Sequence, residues 1–217
     1  MSTPSTGERL VRALRAQGIR DERVIEAFRR VRRDRFVPPS ERTEAYEDRP
    51  IPIAHGQVTT QPSLVARMLE GLHLEGDERV LEVGTGLGFQ TALLALLARE
   101  VFSIERFPTL AERARANLEQ AGIGGVTIVV GDGTLGLPEH APYDGIVVAA
   151  AAPRVPQPLA DQLAPGGRIV QPIGPGGNEV VIAFRKGSRG LVEETRLTGA
   201  FFVRLVGVHG LSEPGRR

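Results

Sequence analysis

The sequence predicts an α/β fold: a doubly wound, mostly parallel seven-stranded sheet with an N-terminal helical cap and a C-terminal antiparallel hairpin. Three observations predict it. From Arg79 onward, short apolar runs alternate with helical patterns, the signature of parallel strands joined by crossover helices. The first of these runs leads directly into Gly84, Gly86 and Gly88, a glycine turn at a strand end. Before Arg79, apolar residues recur at helical spacing or are interrupted by prolines.

In chain order, Leu10, Val11 and Leu14, then Val24, Ile25, Phe28 and Val31, predict two helices over residues 7–35. Gly18 stops the first and Asp21 caps the second. Residues 36–57 contain Pro38, Pro39, Pro50 and Pro52, which forbid a long helix. An ordered loop of that length usually serves a function. Thr60 is expected to begin a helix with Pro62 in its first turn and Leu64, Val65, Met68, Leu69 and Leu72 on one face. RVLEVGTG, VFSIE, VTIVVGDG, YDGIVVAAAA and GRIVQPIG are the parallel strands. FQTALLALLAR, LAERARANLEQAG (closed by Gly122) and VPQPLADQLAPGG are the helices between them. VVIAFRK and FFVRLVGV are expected to form the closing hairpin. A single domain spans 1–217: a helical cap and lid loop over 1–57, a core over 58–185, and edge strands and tail over 186–217.

The apolar fraction of 41%, charged fraction of 24% and net charge of +1 suit a soluble globular protein, with no bulk charge calling for nucleic acid or a membrane surface. Arg29, Arg30, Arg32, Arg33 and Arg35 are interleaved with acids and read as a solvated helix face rather than a phosphate patch. The absence of cysteine excludes disulfides, thiolate metal sites and a thiol nucleophile. The four histidines have no metal-ligand spacing, so no metal is expected. No apolar run reaches 18 residues; a cytoplasmic monomer is the expectation.

The glycine turn defines the candidate site. Glycines let the backbone turn tightly and approach a ligand. Glu82 precedes the turn by two residues, and Glu105 ends the second strand 21 residues after Gly84. A carboxylate there can accept from both hydroxyls of a ribose. The third strand ends at Asp132 and Gly133, where an acid can meet an adenine amino group. The G-x-G-x-G spacing differs from the dinucleotide pattern, and Glu82 would repel a pyrophosphate. Three acidic strand ends fit a cationic nucleoside cofactor such as S-adenosylmethionine; the plainer alternative is that they cap helices and loops.

Several segments resemble the protein-L-isoaspartate (D-aspartate) O-methyltransferase family over residues 35–174, and more loosely to 208. They are RFVPPSERTEAYEDRPIPIAHGQVTTQP, VLEVGTGLGFQTALLA, GDGTLGLPEHAPYDGIVVAAAAP and LADQLAPGGRIVQPIG. The pattern is departed from at Thr60 (commonly serine), Leu87 (commonly a small serine), Leu137 (commonly aromatic) and Arg204 (commonly proline).

The resemblance implies a Rossmann-like methyltransferase that moves a methyl group from S-adenosylmethionine to the α-carboxylate of isoaspartyl, and by extension D-aspartyl, residues in proteins and peptides. It implies a reacting-site role for Thr60, whose hydroxyl is equally suited to capping the following helix. Val58, Thr59, Gln61, Val65, Glu82, Gly84, Thr85, Gly86, Glu105, Arg106, Asp132 and Gly133 are then cofactor residues, and Gln57, Ala150, Ala151 and Pro153 acceptor residues. Ala149 opens the small-residue shelf that ends at Pro153. His55 is expected as a loop residue, and Tyr46 and Asp48 as lid-shaping or packing residues. A related enzyme acting on a biosynthetic peptide or small molecule, and a binding module without catalysis, are the rival readings.

Overall fold

The computed structural model describes residues 6–175 and 177–212; the outermost residues of the expected cap and tail lie outside this range. Helices α1 (Thr6–Ala16) and α2 (Glu22–Arg30) form the cap. Asp21 caps α2, its carboxylate accepting from the Arg23 and Val24 amides. The lid follows as short 3-10 turns and a two-residue antiparallel pair, β1 (Ile51–Pro52) with β2 (Val58–Thr59). Helix α3 (Pro62–Glu70) begins two residues later than expected. Pro62 bars Gln61 from the helical region, so Gln61, with φ −60° and ψ 142°, is the residue at the helix start and Thr60 does not cap α3.

The sheet is built from β3 (Arg79–Val83), β4 (Glu100–Glu105), β5 (Val126–Val130), β6 (Tyr143–Val148), β7 (Leu163–Ile173), β8 (Glu179–Gly187) and β9 (Gly190–Ala200). Their order is β5-β4-β3-β6-β7-β8-β9, parallel as far as β7 and antiparallel beyond. Helices α4 (Phe89–Leu97), α5 (Pro108–Ala121) and α6 (Gln157–Gln162) cross between strands. The seven-stranded, doubly wound α/β class is therefore as the sequence predicts.

Two element assignments are corrected. The second hairpin arm is β9, not residues 201–208. β9 is mostly exposed and carries Glu193, Glu194 and Arg196, charges that blunt a sheet edge and leave no apolar run to read. Residues 201–208 instead form a strap whose Arg204 makes an isolated parallel bridge with Ala151. The helix expected to run to Gly167 ends at Gln162, because Pro165 disfavours helical backbone at Ala164 and the chain is already extended at Leu163.

Apolar side chains pack on both sheet faces. The larger core joins α1–α4 to the sheet, with Phe28 edge-on to Phe89 at 5.7 Å. The smaller joins Leu159 of α6 and Leu205 of the strap to Ile146, Val148 and Ile169. Chain order reverses at β3, whose neighbours are β4 and β6, and such a switch point opens a crevice at the strands' C-terminal ends. Among the described residues no helix is long and apolar enough to cross a membrane.

Candidate active site

The crevice is built outward from β3. Gly84, Gly86 and Gly88 have φ of 97°, 56° and 91°, left-handed values that side chains disfavour, so the glycine spacing is a backbone requirement. Beneath the turn, Glu82 is 0% exposed. Its carboxylate accepts from Gln90 Nε2 at 3.1 Å, Thr91 Oγ1 at 2.5 Å and Ser103 Oγ at 2.6 Å, joining β3 to α4 and β4. Burial, despite those donors, pushes its pKa up to about 7. Glu105, at the end of β4, accepts from the Gly86 amide at 2.8 Å and the Phe107 amide at 3.0 Å. It thereby fixes the turn while lining the crevice.

The opposite wall is the lid. Arg33, expected on a solvated face with its arginine neighbours, is fully buried. Nη1 donates to Ala45 O at 2.8 Å and Glu47 O at 3.1 Å; Nη2 donates to Arg49 O at 3.2 Å and Thr60 O at 3.0 Å. The guanidinium lies 5.4 Å from the Phe89 ring centroid, and burial lowers its pKa to about 10. Asp48 accepts from the Ser63 amide at 2.8 Å, capping α3 from the lid, while Tyr46 donates to Asp34 at 2.7 Å. His55, with φ of 60°, stacks on Phe107 at 4.4 Å and bonds Thr109 Oγ1 at 2.7 Å, docking the lid on α5.

These walls enclose a cleft of about 850 Å³, counting its open mouth, within the usual range for small-molecule sites. Of the residues singled out from sequence, Gln57, Val58, Thr59, Thr60 and Val65 line it from the lid and α3. Gly84, Thr85, Gly86, Glu105, Arg106, Gly133 and Ala150 line it from the sheet, beside Ala149. A Cβ on Gly133 would run into Val83.

Five others do not line it. Glu82 lies under the turn. Asp132 accepts from the Thr134 amide at 2.9 Å and the Val208 amide at 2.8 Å. Burial pushes its carboxyl upward, but the bonds from Thr134 and Val208 outweigh this and hold it below the usual range. Gln61 faces an adjoining groove, Ala151 is buried and bonded through its backbone to the strap, and Pro153 is exposed outside. Ile53, Phe89, Leu110 and the strap residues Val203, Leu205 and Val206 line the cleft without having been singled out. For Ile53 and the strap residues the signals were the flanking prolines and the apolar run at 201–208; Phe89 and Leu110 open the helices read after the first and second strands.

The adjoining groove, about 1070 Å³ with its open mouth, shares Val58, Thr60, Ala149 and Val203 with the cleft. Thr60 thus borders two chambers. Among the described residues no group of three or more His, Cys, Asp or Glu could hold a metal ion.

A parallel sheet reversing at a glycine turn, with a carboxylate at the next strand end, places the chain among the Rossmann-like nucleoside-binding folds. Comparison with known proteins narrows this. The model of the protein-L-isoaspartate(D-aspartate) O-methyltransferase family matches residues 5–210, and the chain belongs to that family. It is 52% identical to a protein-L-isoaspartate O-methyltransferase of Methanoculleus marisnigri, over 91% of this chain and 89% of that one. It is 50% identical to one of Aeropyrum pernix, over 96% and 82%. A solved protein-L-isoaspartate O-methyltransferase superposes with TM-score 0.82 at 31% identity, over 94% of this chain and 67% of the other. A Plasmodium falciparum structure described as a complex with S-adenosyl-L-homocysteine shares the fold, with TM-score 0.79 at 23% identity, over 93% and 98%.

Proposed function

We propose that this chain is a protein repair methyltransferase that moves a methyl group from S-adenosylmethionine to the free α-carboxylate of L-isoaspartyl residues. The observation that carries this reading is the meeting of a nucleoside-sized cleft and a second groove at Thr60, within a chain of this family. S-adenosylmethionine, when bound, would supply a methyl group on a cationic sulfonium: the acceptor carboxylate oxygen would bond to that methyl carbon as the carbon–sulfur bond breaks, giving a methyl ester and releasing the sulfur as a neutral thioether.

The chain's own residues fit that cofactor. The buried carboxylate of Glu105 lies at the cleft surface, ready to accept from ribose hydroxyls. The glycine turn offers close backbone approach, and Leu87, Leu110 and Ile104 give apolar walls. Glu82 acts from beneath, holding the turn rather than touching the ligand. Gly133 marks the adenine end, with Asp132 behind it, shaping the strap.

The acceptor carboxylate is already ionised at neutral pH, so the site needs no general base. The chain's work is to orient two reactants and exclude water, which is worth up to about 7–11 kcal/mol. Thr60 is assigned to donate its hydroxyl to the acceptor carboxylate, while Gln57 and Ala150 flank it. Methyl transfer from labelled S-adenosylmethionine to an isoaspartyl peptide, and not to its aspartyl twin, is the expected result. Equal labelling of both, or of neither, contradicts the reading and returns the biosynthetic-substrate or binding-module alternatives.

A further inference from the structure

Beside Val203 the cleft opens into a third cavity, which also touches His55, Gln57, Phe107 and Phe202. Its charged lining residues are Arg106 and Arg204, and no carboxylate lines it. Arg106 lies over the Phe107 ring, 4.7 Å from its centroid. Arg204 is exposed and reaches both this cavity and the cleft. Its backbone position is fixed: the Ala151 amide donates to Val203 O at 2.8 Å, and the Leu205 amide donates to Ala151 O at 2.7 Å. The strap thus holds a cation at the cleft mouth. Thr60 borders the cleft and the second groove but not this cavity. The charge therefore lies to one side of the assigned reacting position.

We infer that Arg204 is a specificity-determining residue that attracts a carboxylate flanking the isoaspartyl site, so that this chain prefers acceptors with acidic neighbours. The inference rests on the methyltransferase reading. An acidic residue in an extended acceptor meets the exposed guanidinium without desolvating it fully, so the preference is modest and weakened by salt.

The test uses isoaspartyl hexapeptides identical except for glutamate, glutamine or lysine on both sides of the isoaspartyl residue. For the native chain, KM with glutamate flanks falls about fivefold below KM with lysine flanks, and the gap narrows at about 0.5 M salt. R204Q brings the two KM values within about twofold, and R204K restores most of the difference. Equal KM values in the native chain, or an undiminished gap in R204Q with urea unfolding unchanged, overturns the inference alone. Absence of methyl transfer to all three peptides overturns the methyltransferase reading and the inference with it.

Discussion

The two walls of the cleft each rest on one buried charge, of opposite sign and differently satisfied. In the sheet wall, Glu82 accepts from three side chains carried by α4 and β4. In the lid wall, Arg33 donates to four main-chain carbonyls between Ala45 and Thr60. Among the described residues, neither charge is met by a contact ion pair. The donors around Glu82 sit on regular elements that already have their own hydrogen bonds, so the carboxyl can take up a proton and the wall remains. The carbonyls around Arg33 belong to a segment whose own regular structure is short 3-10 turns and a two-residue strand pair, so there the cation carries much of the scaffold. The sheet wall should therefore tolerate loss of its charge, and the lid wall should not.

The sharpest way to break this contrast is Arg33→Met. It leaves the lid carbonyls without their donors, and a cost of about 3–5 kcal/mol in urea unfolding is expected, with early protease cleavage in residues 45–60. A loss below about 1 kcal/mol would show that the lid stands without its clasp. Next is Glu105→Ala, which frees the Gly86 amide and removes the carboxylate from the cleft. Calorimetry should show affinity for S-adenosylmethionine about 30-fold weaker; a change under threefold would remove Glu105 from the site.

Glu82→Gln has the smallest effect at neutral pH, within about 1 kcal/mol, and its signature is the pH dependence. The Glu82 pKa is raised in the folded chain from 4.5 to about 7. Below pH 4.5 the folded and unfolded chains both hold the proton; between there and pH 7 the unfolded chain releases it first, so this contribution to stability drains away as pH rises. The glutamine variant should lose less stability than the native chain between about pH 5 and 8, and parallel losses would contradict the raised pKa.

Legibility in sequence followed the same division. The sheet wall was readable because a strand, a glycine turn and the next strand's acidic end lie at short, regular spacing, and Glu105 falls where that spacing puts it. What spacing could not give was depth: Glu82 and Glu105 look alike in sequence, yet one lies under the turn and the other on the cleft surface. Arg33 was illegible because it stands among arginines that are exposed, and only closure of the lid over it reveals its burial. Thr60 was singled out through the resemblance, while its alternative role as a cap failed because Pro62 makes Gln61 the residue at the helix start. The 201–208 strap misled because an apolar run reads alike whether it enters a sheet or lies across its strand ends.

The central claim is that the chambers on either side of Thr60 bring acceptor and methyl donor together through its hydroxyl. The most direct measurement is kcat for Thr60→Val and Thr60→Ser on one isoaspartyl peptide, with cofactor affinity measured alongside. A fall in kcat of about tenfold or more for valine, near-native turnover for serine and cofactor affinity within about threefold are predicted. Native turnover in the valine variant, or a dead serine variant, would contradict the account.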